Sequence, residues 1–128
     1  MVQIRLSPEA QEDIEAILAW SHREFGEQVR LRYEELLVQA MLDLAEDPSR
    51  VGSQERPELA KGAKTYHIQH SRNHMNLAGI RIRKPRHFLL CRLANDSFLE
   101  IGRVLHDSME LAQHLPPDYQ SAESESDE

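Results

Sequence analysis

Two apolar stripes of the same spacing, separated by a single glycine, fix most of what this chain can become. Ala10, Ile14, Ile17, Leu18, Ser21 and Phe25 recur at the intervals of one helical face, and Val29, Tyr33, Leu36, Leu37, Ala40 and Leu44 repeat those intervals after Gly26. Two amphipathic helices joined through one residue must fold back on each other, so the pattern predicts an antiparallel helical hairpin. Residues outside the stripes do not match, which makes this shared helix physics and not a duplication. Ser7 and Pro8 suit the start of the first helix, because a serine hydroxyl accepts from the free N–H groups of the first turn and proline has no N–H to leave unpaired. Glu9, Glu12 and Asp13 put negative charge where the helix dipole favours it. The second helix ends near Glu46, since Pro48 disfavours helix in the residue before it.

Outside the hairpin the period changes from helical to alternating. Val2, Ile4 and Leu6 alternate with polar residues, as a short strand with one buried face would require. Residues 47–63 carry Pro48, Gly52, Pro57 and Gly62 and read as a connector. Tyr66 and Ile68 alternate with His67 and Gln69, Arg86–Ala94 is a mostly apolar run of strand length, and Phe98–Leu105 follows a turn at Asn95-Asp96. Gly79 and Pro85 bracket a further short strand candidate, Ile80-Arg81-Ile82. Asp107 or Ser108 is placed to cap a short last helix carrying Met109, Leu111, Ala112 and Leu115, which Pro116-Pro117 would stop. The expectation is an α+β fold: an N-terminal strand and α-helical hairpin packed on a mostly antiparallel β-sheet, with a short C-terminal helix. It forms a single domain over residues 1–116, and the serine- and acid-rich tail, 117–128, is expected to be disordered.

Charge is distributed in three blocks. Residues 61–105 carry nine basic and two acidic side chains, whereas the flanking blocks 1–60 and 106–128 are each seven charges negative, for a net charge of −7. A basic middle in an acidic chain points to one face meeting an anionic partner. No apolar run reaches the roughly 18–20 residues of a membrane span, and the first residues lack the apolar core of a signal peptide, so the expected location is the cytoplasm, with no membrane partner. Cys91 is the single cysteine, which rules out an intrachain disulfide and a four-cysteine zinc site.

Candidate chemistry is sparse. His67, His70 and His74 have helical metal-ligand spacing, but in a strand-and-loop segment His67 and His70 point to opposite faces, so no metal site and no cofactor are expected. Cys91 sits in an apolar run, where a thiol is structural and not reactive. Arg86 and Arg92 share one strand face with Phe88 and Leu90, while His87, Leu89, Cys91 and Leu93 face the other way. If the hairpin covers the second face, the arginines point outward, and Phe88 and Leu90 need cover from the last helix or a partner. Arg81, Arg83, Arg86, Arg92 and Arg103 are the candidate binding cations, and Trp20, at the edge of its stripe, is the candidate aromatic anchor for a partner helix. The chain's own Glu123, Glu125, Asp127 and Glu128 are an internal alternative to an acidic partner on the basic sheet.

In order and spacing, the opening strand with LSPEAQEDIEAILAW, then FGEQVRLRYEELLVQAMLDLAEDP, then RHFLLCRL and LEIGRVLHDSMELAQHL, resembles the RelE/ParE toxin superfamily, and specifically its ParE branch, over about residues 2–115. The stretch SRNHMNLAGIRIRKP is longer than the minimal loop of that family. The resemblance implies the toxin half of a type II toxin–antitoxin pair, inhibiting growth by poisoning DNA gyrase with no chemical step of its own, and therefore no catalytic residues. It implies a ParD-like, ribbon-helix-helix DNA-binding antitoxin as partner in a hetero-oligomer. The RelE branch gives the alternative, ribosome-dependent mRNA cleavage, for which His106, Arg103, Arg86 and His87 would supply a base and cations; an inactive relative that only binds its antitoxin is the other alternative. Tyr33, Tyr66 and Tyr119 are the chain's tyrosines, and none lies on the final strand or the last helix, which counts against cleavage.

Overall fold

The structure, a computed structural model, describes residues 1–75, 81–94 and 97–119. Strand β1 (Gln3–Leu6) leads into helices α1 (Pro8–Phe25) and α2 (Glu27–Glu46), followed by strands β2 (Ser53–Glu55), β3 (Ala63–His67), β4 (His87–Ala94) and β5 (Phe98–His106). The sheet order is β1-β5-β4-β3-β2, antiparallel except for the parallel pair β1–β5. This is the α+β hairpin-on-sheet arrangement that the sequence implies.

The hairpin forms where the stripes place it. Ser7 Oγ accepts from the Ala10 N–H at 3.0 Å and donates to the Gly102 carbonyl at 2.7 Å, so one side chain both caps α1 and fastens it to β5. Gly26 sits at φ +90°, a conformation open to glycine, and turns α1 directly into α2. Leu36, Leu37, Ala40 and Leu44 of α2 and Ala10 of α1 are buried against Tyr66, Leu89, Cys91, Leu99, Ile101 and Val104 of the sheet. The Cys91 thiol is pushed up to about 12 by burial and is inert, as its apolar run predicts.

A second, smaller core lies on the opposite sheet face. Leu59, Ala60, Ala63 and Leu90 pack there with Tyr119, flanked by Leu111 and Leu115. The C-terminal segment therefore provides the cover that Leu90 needs. Tyr119, expected in the tail, is fully buried, and packing thus continues three residues past the 116 boundary; residues 120–128, with the four tail carboxylates, lie outside the described residues. The segment crosses β5 at a bulge: Leu90 pairs with Arg103 and Cys91 with Ile101, leaving Gly102 over. A Cβ on Gly102 would stand 2.7 Å from Pro116 Cγ and 3.2 Å from the Tyr119 hydroxyl, so the close crossing requires glycine. Gly102→Ala is expected to lower stability by about 1–2 kcal/mol by pushing this segment off the sheet, measurable as a fall in the urea midpoint.

Four local expectations change. Ser53–Glu55, read as connector, is an edge strand on β3; three polar residues carry no alternating pattern to reveal it. Ile68–His74 winds into a 3-10 helix, so β3 stops at His67. Of the Ile80-Arg81-Ile82 candidate, Arg81 and Ile82 are in no strand and Ile80 is outside the described residues. The expected last helix is shorter than its apolar residues suggest, a single 3-10 turn at Leu111–Gln113, and a further helical turn at 117–119 starts on Pro117 itself.

Candidate functional site

The end of the hairpin leans over the segment that leads into β4 and leaves a groove of about 450 Å³. Ile17, Trp20 and Phe25 of α1 and Val29 and Tyr33 of α2 form one wall, and residues 81–84, Arg86, His87 and His106 form the other. Trp20 and Phe25 meet edge to face with ring centroids 5.5 Å apart. They are 46% and 59% exposed, unusual for large aromatic groups side by side.

At the groove's floor, three elements that are distant in sequence converge. The Tyr33 hydroxyl accepts from the Arg86 N–H at 3.2 Å and lies 2.5 Å from His87 Nδ1. This hydrogen bond ties α2 to the start of β4. Burial, reinforced by the nearby His106, lowers His87 to about 4, and burial pushes Tyr33 up to about 12; both groups are neutral at pH 7. The His106 ring stands edge-on to His87 at 5.4 Å, and its Nδ1 is taken by Ser108, whose N–H and hydroxyl lie 3.2 and 2.7 Å away. A histidine held neutral by the fold makes stability pH-dependent with a definite sign. Its folded value lies below the ordinary 6.5, so the unfolded chain binds the proton first and stability falls as pH drops from about 6.5 towards 4. We expect a loss of about 1.5 kcal/mol between about pH 6.5 and 5 from this residue, seen as a falling urea midpoint that flattens in His87→Gln.

The candidate binding cations divide into two sets. Arg103 donates from Nε and Nη2 to both carboxylate oxygens of Asp13 at 2.7 and 2.9 Å and from Nη1 to the His114 carbonyl at 3.0 Å, while Asp13 also accepts the Val104 N–H at 2.9 Å. This clamp takes over the edge of β5 where β1 ends. Arg92 pairs with Asp118 at 2.9 Å and covers the Tyr119 ring at 4.5 Å. Arg86 lies 3.0 Å from Asp107, which also takes His67 Nε2 at 3.1 Å. Burial opposes ionisation of Asp107, but these hydrogen bonds outweigh it and hold the carboxyl below its usual range. Arg81, Arg83 and Lys84, in contrast, have no carboxylate partner among the described residues. All three line the groove, and no acidic side chain does.

The structure thus brings Trp20, Arg81, Arg83, Arg86, His87 and His106 to one place and puts Arg92 and Arg103 elsewhere, in ion pairs that hold the fold. Tyr33, Phe25 and Val29 complete the groove and were visible in the sequence only as members of helical stripes. His67, His70 and His74 do not gather: His67 binds Asp107, His74 Nδ1 binds Asp43 at 2.9 Å, and among the described residues no group of three His, Cys, Asp or Glu is placed to hold a metal ion. Among these residues no helix is long and apolar enough to cross a membrane.

A helical hairpin on a mostly antiparallel sheet, with a cation-bordered apolar groove beside the hairpin turn, defines a small α+β domain. The sequence over residues 4–111 matches the family described as ParE toxin of the type II toxin–antitoxin system parDE, and the chain belongs to that family. Two solved structures share the fold. A chain of the chromosomal ParDE system from P. aeruginosa is 15% identical, with a TM-score of 0.60 over 83% of this chain and 96% of that one. A chain of the toxin–antitoxin complex RelBE2 from Mycobacterium tuberculosis is 22% identical, with a TM-score of 0.51 over 82% of this chain and 96% of that one. Comparison with the curated proteins returns no match.

Proposed function

We propose that this protein is the growth-inhibiting toxin of a type II pair, that it binds and poisons DNA gyrase in the cytoplasm, and that a ParD-like antitoxin neutralises it. The observation that carries this reading is the groove. It offers exposed aromatic anchors beside Arg81, Arg83 and Lys84, cations without a carboxylate partner among the described residues, as a protein-binding hot spot with a charged border requires. Membership of the ParE family supports the gyrase target over the ribosome. Of the four groups named for RNA cleavage, Arg103 is held by Asp13 away from the groove, whereas Arg86, His87 and His106 lie in it, in contact with Asp107, Tyr33 and Ser108. An acidic antitoxin segment would meet the same border, so antitoxin and target would compete for it.

The test adds the antitoxin-free protein to gyrase and relaxed plasmid across a concentration series. Loss of supercoiling with accumulation of cleaved DNA is the expected result. Folded, antitoxin-competent protein that leaves gyrase untouched while cleaving mRNA on ribosomes, in a manner abolished by His106→Ala, would replace this reading with the enzymatic one.

A further inference from the structure

The groove's volume of about 450 Å³ is enough to take a small molecule. Its walls are Ile17, Trp20, Phe25, Val29 and Ile82, so the body of an occupant must be apolar. Its charged groups are all cationic and lie on the 81–86 side, and the Ser21 and Tyr33 hydroxyls lie on the hairpin side. Arg81, Arg83 and Lys84 have no carboxylate partner among the described residues. An apolar slot with donors on one border and no carboxylate in its lining is complementary to a molecule with a single anionic head on a hydrophobic body. Nucleotides fit less well, because the edges of an inserted base would lose their water without finding partners on these walls.

We propose that the groove between the helical hairpin and residues 81–86 is a binding site for a small amphipathic carboxylate. The hydrocarbon body lies against Trp20, Phe25 and Val29, and the head group is held by Arg83 and Lys84. This assignment concerns the free protein and stands apart from the gyrase reading. Where both hold, the ligand and the macromolecular partner exclude one another.

Trp20 is the chain's single tryptophan and lines the site, so its emission reports occupancy directly. The full chain is titrated with decanoate below its micellar range and with 1-naphthoate, which distinguish an aliphatic from an aromatic ligand, and with decanol as the neutral control, using calorimetry alongside Trp20 emission. Expected results are one-to-one binding of at least one carboxylate with a shift in Trp20 emission, decanol at least tenfold weaker, and at least a tenfold loss for that carboxylate in Arg83→Glu/Lys84→Glu with decanol unchanged. Val29→Trp, with thermal unfolding confirming the fold, should abolish binding by filling the slot. No binding of either carboxylate to folded wild-type protein overturns the proposal. So does decanol binding as tightly as decanoate, or indifference to the double charge reversal. An acidic amphipathic peptide that shifts Trp20 when both carboxylates fail would give the groove to a protein partner alone.

Discussion

Asp43→Ala should destabilise the protein by about 3 kcal/mol and lower its melting temperature by roughly 10 °C. Asp43 is a polar residue in the buried face of α2, only 6% exposed. Gln39 Nε2 donates to its Oδ1 at 2.9 Å, and its Oδ2 takes both His74 Nδ1 at 2.9 Å and Arg50 Nη1 at 3.0 Å. One carboxylate therefore ties α2 to the turn before β2 and to the 3-10 helix after β3. Burial alone would raise its pKa, but the hydrogen bonds from Ser71, Gln39 and His74 and the charge of Arg50 outweigh that and hold it below the usual range. Alanine removes the acceptor and leaves four groups without it, one of them a guanidinium whose Nε is already buried without a partner. Asp43→Asn keeps part of the network and loses the charge, so about half the effect is expected from it. The pH dependence has the sign of a depressed acid: the contribution is fully present above the unfolded carboxyl value and is lost as pH falls through the lower folded value. Urea titration of both variants at neutral and acid pH checks magnitude and sign together. An unchanged midpoint in Asp43→Ala would show that the network contributes no net stability.

The same residue shows where the sequence stops being legible. The hairpin was readable because a helix's buried face repeats within a few residues, so Leu36, Leu37, Ala40 and Leu44 announce themselves without reference to the sheet. Asp43 lies beside that stripe and looks like a solvated charge, because the groups that satisfy it come from positions 50, 71 and 74. The existence of β1, β4 and β5 was equally local, whereas the polar β2 carried no such pattern. Strand pairing was not local: β1 lies parallel to β5, with Ile4 opposite Leu99, which no local pattern encodes.

Charge misled in an instructive way. The surplus of residues 61–105 resembles a basic face when counted along the chain, yet Arg103, Arg92 and Arg86 are matched by Asp13, Asp118 and Asp107, all from the acidic flanks. The blocks fold against each other, and of the block's five arginines named as binding candidates only Arg81 and Arg83 have no carboxylate partner among the described residues. Only the aromatic part of the site, Trp20 at the edge of its stripe, was visible from spacing alone. Tyr33 belonged to a core pattern, and its bond to His87 spans 54 positions.

That division of the cations sets up the second large effect. Arg81→Glu/Arg83→Glu/Lys84→Glu should weaken gyrase inhibition by about a hundredfold while leaving thermal stability within roughly 0.5 kcal/mol of wild type. The three side chains have no carboxylate partner among the described residues, so reversing them breaks no internal pair. Their loss falls on the partner's acidic groups, at roughly 1 kcal/mol or somewhat less per reversal at a partly exposed border, and the sum corresponds to the expected factor. Raising the salt concentration should weaken the wild-type interaction and strengthen that of the triple variant, since screening then relieves the repulsion between its glutamates and the partner's acidic groups. Arg103→Glu provides the contrast. It sets two carboxylates against each other at the α1–β5 clamp, so any lost inhibition would come with a lower melting temperature. If the triple variant inhibits gyrase like wild type, the groove is not the contact surface. If Arg103→Glu loses inhibition at full stability, Arg103 reaches the target by leaving Asp13, and the assignment of strand arginines to the fold must be reversed.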